Sequence, residues 1–200
     1  MIDKLPTIKK LMRYLHQVPF LASKNLYRVT SYFLQIDQER LNQFCTALKE
    51  AHHKIIQCAN CFVWKERDTE CVFCDDLNRD KSIICVVESW HELLVIERTQ
   101  AFHGMYHVLG GVISPLDGIS AKDLKIEELI HRVASQGVTE IIFALNLTPE
   151  GEATAAFIAR KLHGFPVKIT CLAKGVPIGS NLEFVDRLTV SKALADRKMF

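Results

Sequence analysis

Apolar residues recur along this chain at two spacings, and the change between them falls near Ser82. Before it, Leu5, Ile8, Leu11, Met12 and Leu15 follow a helical period, with Lys9, Lys10 and Arg13 mostly on the other side. Val18-Pro19 ends this helix, because a residue before proline avoids the αR region. Ser23 is expected to cap a second helix carrying Leu26, Val29 and Phe33. Asp37 is expected to cap a third, with Leu41, Phe44, Cys45, Leu48 and Ile55 as its apolar stripe. The first two helices make a helix-turn-helix-like hairpin. Lys24 and Arg28, four residues apart, share one face near the start of the second helix and are spaced to neutralise adjacent phosphates.

Beyond Ser82 the apolar runs shorten and become β-branched. Residues 83–88, 106–109, 140–146 and 167–173 read as strands. Between them, Ser89 and Glu92 form a capping box for a helix reaching about residue 99. Residues 124–136 make an amphipathic helix with Ile126, Leu129, Ile130 and Val133 inward, closed by Gly137. Thr148 and Pro149 open a further helix that buries Ala155, Ile158, Ala159 and Leu162 and runs to about residue 163. Strands alternating with helices imply parallel βαβ units, so the fold class is α/β with a mainly parallel sheet. The tail from Gly175 is punctuated by glycine and proline and then carries Leu182, Phe184, Val185, Leu188 and Leu194. It is too short to fold alone, and is expected to dock on this chain or on a neighbouring copy.

Between the two regimes lies CANCFVWKERDTECVFC, which holds two CxxC pairs, Cys58/Cys61 and Cys71/Cys74, nine residues apart. Each CxxC turn aims two sulfurs at one point, and the intervening loop brings the second turn opposite the first. Four thiolates so placed suit one tetrahedral Zn²⁺ per chain. With four sulfurs the site is closed and therefore structural. Metal binding in such a module contributes roughly 10–16 kcal/mol in apparent terms, enough to fold a segment with no core of its own. Cys45, Cys85 and Cys171 sit among apolar residues and read as core thiols.

Composition adds three restrictions. Within 200 residues, a hydrophobic fraction of 48% and a charged fraction of 24% are those of a globular protein of one medium domain plus small modules. No apolar stretch approaches the length of a bilayer span, and MIDKLPTIKK lacks the apolar run of a secretory leader. With seven cysteines, an odd number, this favours a reducing cytoplasm and no membrane partner. The net charge of +2 is uneven: residues 1–57 hold nine Lys/Arg against four Asp/Glu, and the remainder sixteen against nineteen. A basic head on a slightly acidic body suggests a polyanion contact in front and a protein contact behind.

Ligand sites in open parallel sheets lie beyond the carboxyl ends of the strands. Glu88 follows the first strand; Asn146, Thr148, Glu150 and Glu152 follow the third. That is the ground plan of a Mg²⁺ site, but the two best-placed positions hold an amide and a hydroxyl, which weakens it. Glu150 and Glu152 also suit the first turn of a helix, where acidic groups favour the dipole. Phosphate-loop, dinucleotide-binding and zinc-protease motifs are missing, and no Ser/His/Asp or Cys/His set stands out. His91, His131 and His163 read as polar positions on helices. No catalytic residue is therefore assigned.

The order of modules resembles the RecR family of bacterial recombination mediators. The residues that carry the resemblance are the cysteine quartet, ICVVES (84–89), SPLDGI (114–119), EGEAT (150–154) and GVPIGSNLEFVD (175–186), and it covers nearly the whole chain. It implies a helix-hairpin-helix head (1–56), a C4 zinc finger (57–80), a Toprim-like α/β domain (81–177) and a C-terminal docking and oligomerisation segment (178–200). It also implies a non-enzymatic, cytoplasmic, nucleoid-associated protein of DNA repair. Such a protein acts with RecO-type and RecF-type partners on gapped DNA or single/double-strand junctions, as a dimer or a tetrameric ring. By position, Cys58, Cys61, Cys71 and Cys74 hold zinc, and Lys24 and Arg28 contact DNA. Glu88, Glu150 and Glu152 contact a protein partner.

The family's hairpin is typically LPGxGxKSA, whereas residues 18–25 here carry no glycine. Glycines let backbone N–H groups approach a phosphate, and Phe20 and Leu21 crowd that approach. The side chains of Lys24, Arg28, Lys9 and Lys10 are then left with more of the contact. The apolar pair is also suited to a head-to-head contact between subunits. Two competing functions remain: a Mg²⁺-dependent Toprim nuclease or nicking enzyme using Glu88, and a zinc-ribbon RNA-binding protein.

Overall fold

The computed structural model describes residues 5–197; the first four residues of the expected head and the last three of the expected tail lie outside them. The chain divides into two compact units, residues 1–55 and 56–200.

The first unit is helical: α1 (Pro6–His16), α2 (Ser23–Gln35) and α3 (Gln38–Lys54). Pro6 opens α1, where its missing N–H costs nothing. Asp37 caps α3 by accepting the Arg40 N–H at 2.9 Å, as its position predicts. Ser23 does not cap α2. It is the first helical residue; Ala22 holds the cap position without a side-chain hydrogen bond. Leu26 and Thr30 are the buried residues among those described in this unit, and the Thr30 hydroxyl donates to the Leu26 carbonyl at 2.8 Å. The expected stripe of α3 is not buried: Phe44, Cys45 and Leu48 are exposed. Three short helices have too little interior to cover the apolar faces of all three.

A two-stranded sheet of β1 (Ile55–Gln57), whose first residue closes the helical unit, and β2 (Trp64–Glu66) frames the first CxxC turn. A four-stranded parallel sheet follows, ordered β4-β3-β5-β6, from β3 (Asp80–Val87), β4 (Gly104–Val108), β5 (Glu140–Phe143) and β6 (Lys168–Cys171). Helices α4 (Trp90–Glu97), α5 (Ile126–Ser135) and α6 (Pro149–Lys161) make the crossovers, and α7 (Arg187–Ala195) lies in the tail. The capping box of α4 is formed: the Ser89 N–H donates to Glu92 Oε2 at 2.9 Å, and Ser89 Oγ accepts from the His91 N–H at 3.2 Å. Thr148 caps α6 by accepting the Gly151 N–H at 3.1 Å. Gly137 takes the left-handed conformation (φ 66°) that ends α5.

Strand alternation sorts the core into two layers. Ile84, Val86, Ile141 and Phe143 pack with Leu129 and Val133 of α5 and with Ile158 and Leu162 at the end of α6. Cys85, Val87, Tyr106 and Val108 face the other way, onto Leu93 of α4 and onto Cys58, Cys61, Val63 and Cys71. The cysteine module thus covers one face of the sheet. It also covers the β4 edge, where the Val108 N–H donates to the Cys61 carbonyl at 2.9 Å. Of the three other cysteines, Cys85 is a core thiol, but Cys45 and Cys171 are exposed. Cys171 lies on edge strand β6, and Cys45 on the uncovered stripe of α3. The tail does not bury its apolar residues on this chain, since Leu182, Phe184, Leu188 and Leu194 all remain exposed.

Candidate functional site

The four cysteines come together although nine residues separate the pairs. Their sulfurs lie within 4.8 Å of one another, and they are the one group of metal-ligating side chains so gathered among the described residues. Cys58 and Cys74 sulfurs are 3.9 Å apart, Cys61 and Cys71 sulfurs 3.5 Å. A tetrahedron with bonds of about 2.3 Å spaces its sulfurs about 3.8 Å apart, so the donor set fits one four-coordinate ion. Two tight turns aim the sulfurs. The Phe62 N–H donates to the Cys58 carbonyl at 3.0 Å, and the Asp75 N–H to the Cys71 carbonyl at 3.0 Å. The Asp75 carboxylate in turn accepts the Cys71 N–H at 2.6 Å.

The electrostatics favour negative charge on one of the sulfurs, while burial opposes it at Cys61 and Cys71. Cys74 is pulled down to about 5, first by its hydrogen bond with Cys61 and then by the charge of Arg132 and the amide of Asn60. Cys61, on the other side of that bond, is pushed well above the ordinary thiol value. Arg132 is 2% exposed, yet remains within electrostatic reach of all four sulfurs. Burial lowers its pKa, and the sulfurs offset part of that lowering. A relay of side chains continues from it: Arg132 Nε donates to Gln136 Oε1 at 3.0 Å, Gln136 Nε2 to Asn60 Oδ1 at 3.0 Å, and Asn60 Nδ2 to the Cys74 sulfur at 3.5 Å. None of these residues was singled out from the sequence. Their signals were a cation at helical spacing from Leu129 on the inner stripe of α5, and an amide inside the first CxxC turn.

At the carboxyl ends of the strands, Glu88 spends both carboxylate oxygens on one neighbour. Oε1 accepts the Asn146 N–H at 2.6 Å and Oε2 accepts Asn146 Nδ2 at 2.8 Å. Asn146 Nδ2 also lies 3.5 Å from Glu92 Oε1. Glu152 pairs with Lys174 and lies 3.7 Å from Lys192 of the tail. Glu150 stands in the first turn of α6. SPLDGI forms a closed loop: Ser114 Oγ donates to Asp117 Oδ2 at 2.6 Å, Ser114 and Ile119 exchange backbone bonds, and Gly118 takes φ 73°. The buried Thr154 hydroxyl ties this region to α6 by accepting the Ile113 N–H at 2.9 Å.

On the helical unit, Lys24 and Arg28 are both exposed and lie one turn apart on α2; Lys9 and Lys10 are exposed on α1. The hairpin between the helices is tight: the Ala22 N–H donates to the Phe20 carbonyl at 3.0 Å. Phe20 takes the left-handed conformation, φ 64°.

Residues 82–173 match the model of the Toprim domain, and residues 175–198 that of the RecR C-terminal region. Among curated proteins, the chain is 40% identical over 192 residues to the recombination protein RecR of Rubrobacter xylanophilus, covering 96% of each. It is 38% identical to that of Tropheryma whipplei strain Twist, covering 96% of each, and 38% identical to that of Syntrophotalea carbinolica, covering 99% of each.

Proposed function

The chain belongs to the RecR family of recombination proteins, and from that premise we propose how a mediator of recombinational DNA repair uses the sites described above. Zn²⁺ is the ion for the four sulfurs, one per chain, held by Cys58, Cys61, Cys71 and Cys74. Bound there it closes a coordination shell and so braces the turns against the sheet. The four-part division at residues 57, 81 and 178 is retained, with the finger and the Toprim-like domain packed as one body.

The protein acts on DNA without cutting it. The observation that carries this is the hydrogen bonding of Glu88 with Asn146, which occupies both oxygens of the carboxylate that a metal-dependent nuclease would need free. Glu88 and Glu150, with Glu152 held by lysines, form an acidic rim suited to a RecO-type or RecF-type partner. Lys24, Arg28, Lys9 and Lys10 contact the phosphates of gapped DNA. The uncovered apolar residues of α3 and of the tail support assembly with further copies into a dimer or ring. Among the described residues no helix is long and apolar enough to cross a membrane, and we place the protein in the cytoplasm, on the nucleoid.

The test is binding to a gapped duplex across a salt series. Phosphate contacts give a log–log slope of roughly −0.9 per phosphate neutralised. Alanine at both Lys24 and Arg28 should flatten that slope. An unchanged slope removes the head as the DNA contact, and plasmid cleavage that is lost in Glu88→Gln makes the protein a nuclease.

A further inference from the structure

Phe20 is the most exposed aromatic residue described, at 105% against 83% for Phe184. Its backbone sits at φ 64°, a region that bulky side chains rarely adopt. The hairpin therefore holds an aromatic ring at its tip, in water, in a conformation that a glycine would take without strain. No side-chain contact among the described residues of the helical unit repays that arrangement. The ring stacks on no other aromatic and on no cation, and its backbone N–H makes no turn bond of its own, among the described residues.

The helix ends that flank the hairpin are mixed in character. Lys24 is the second residue of α2, and Tyr27 and Arg28, three and four residues later, fall on the same side of the helix. Tyr27 is half exposed, as is Tyr14 near the end of α1. Cations interleaved with unpartnered rings are the surface that holds single-stranded nucleic acid: the cations follow the phosphates, and the rings accept the faces of unpaired bases. Other exposed apolar residues of this unit, Tyr32, Leu34, Phe44 and Leu48, lie elsewhere along the helices. Tyr32 and Leu34 are nine and eleven residues beyond the start of α2, about 15 Å along its axis. A head-to-head contact has those residues available without Phe20.

We propose that Phe20 stacks on an unpaired base of DNA, with Lys24 and Arg28 holding the flanking phosphates. The site is then specific for the single-stranded side of a gap, without preference among bases, because every base presents a π-face. A glycine tip would bring backbone N–H groups to a phosphate. This tip exchanges that contact for a ring. The proposal rests on the reading that the head contacts DNA.

The full chain is titrated with a labelled single strand carrying 2-aminopurine at successive positions, and with a blunt duplex. Stacking quenches 2-aminopurine on binding. Phe20→Leu, still apolar, should weaken single-strand binding about 5- to 100-fold, abolish the quench, and leave the salt slope and duplex affinity unchanged. Phe20→Tyr should keep both affinity and quench. If Phe20→Leu keeps the wild-type affinity and quench while binding stays salt-dependent, stacking is wrong and the DNA-contacting head survives. If Phe20→Leu lowers the solution mass along with the affinity, the ring seats a second copy and the proposal is overturned. If the wild type ignores single strands at low salt, the underlying reading fails too.

Discussion

Arg132 donates from Nη1 to the carbonyl oxygen of Tyr106 at 2.6 Å, a bond between the last turn of α5 and an edge strand that is buried at both ends. The same guanidinium lies close enough to the four cysteines for each to affect its pKa. One side chain thus joins helix, sheet and metal module. Arg132→Gln would leave the Tyr106 carbonyl without its donor and the sulfurs without a nearby cation. Losing one partner of such a buried arrangement costs about 3 kcal/mol, read as a lower urea midpoint. Arg132→Lys keeps the charge but not the planar fork, and should lose less.

Asn60→Ala removes the amide that donates to the Cys74 sulfur and accepts from Gln136. Groups that orient metal ligands typically change affinity 10- to 100-fold when removed. Competition with a coloured chelator should therefore show at least about a tenfold loss of metal affinity, with the sheet intact by circular dichroism.

Metal analysis of the purified chain should return one zinc per chain, and Cys71→Ser should return less. Cys58, Cys61, Val63 and Cys71 share a core layer with Val87, Leu93 and Tyr106, so stripping the metal should loosen that face of the sheet as well. Hydrogen exchange should then rise in β4, whose edge bonds to the Cys61 carbonyl.

Gly151→Ala tests the Glu88–Asn146 contact. A Cβ at this position would stand 2.2 Å from the Asn146 carbonyl oxygen and 3.3 Å from Glu88 Oε1. The backbone oxygen cannot be displaced cheaply, so the variant should be destabilised by about 1–3 kcal/mol. Partner binding through the acidic rim should weaken with it.

His107 provides a pH test. Fully buried in β4, it donates from Nε2 to the Lys125 carbonyl at 2.7 Å, and its Nδ1 has no partner among the described residues. Burial pulls its pKa down to about 4. An unfolded histidine titrates near 6.5, so between pH 6.5 and 4 the unfolded chain takes up a proton that the folded chain refuses. Stability should therefore be full above pH 6.5 and fall by up to about 3 kcal/mol as the pH drops to 4. His107→Gln retains a donor and should lose this part of the acid sensitivity. Proton-driven loss of metal would be common to both proteins and cancels in the comparison.

Much of this molecule was legible in the chain. The capping box at Ser89 and Glu92, the cap at Thr148 and the left-handed Gly137 rest on rules that act within a few residues and formed where those rules put them, and the four strands formed with ends shifted by up to three residues from the apolar runs, β5 stopping at Phe143 rather than Asn146. The departures share a different cause. Ser23 has the chemistry of a cap, yet α2 starts at it, because the turn after Pro19 delivers Ala22 to the cap position. Cys45 and Cys171 lie among apolar residues but on surfaces that the rest of the chain leaves uncovered. Periodicity shows which face of an element is apolar and is silent on whether anything covers it.

Local order and the gathering of the four sulfurs follow from neighbouring residues: a CxxC turn positions its thiols through bonds that span only a few atoms. The pairing of Asn60 with Gln136 joins positions 76 residues apart in the chain, and the burial of Arg132 beside the sulfurs joins positions that are also distant. They exist because parallel crossovers bring α5 against the metal module. No short-range pattern encodes such a meeting; it depends on how the layers stack, and that is settled by the packing of the whole core.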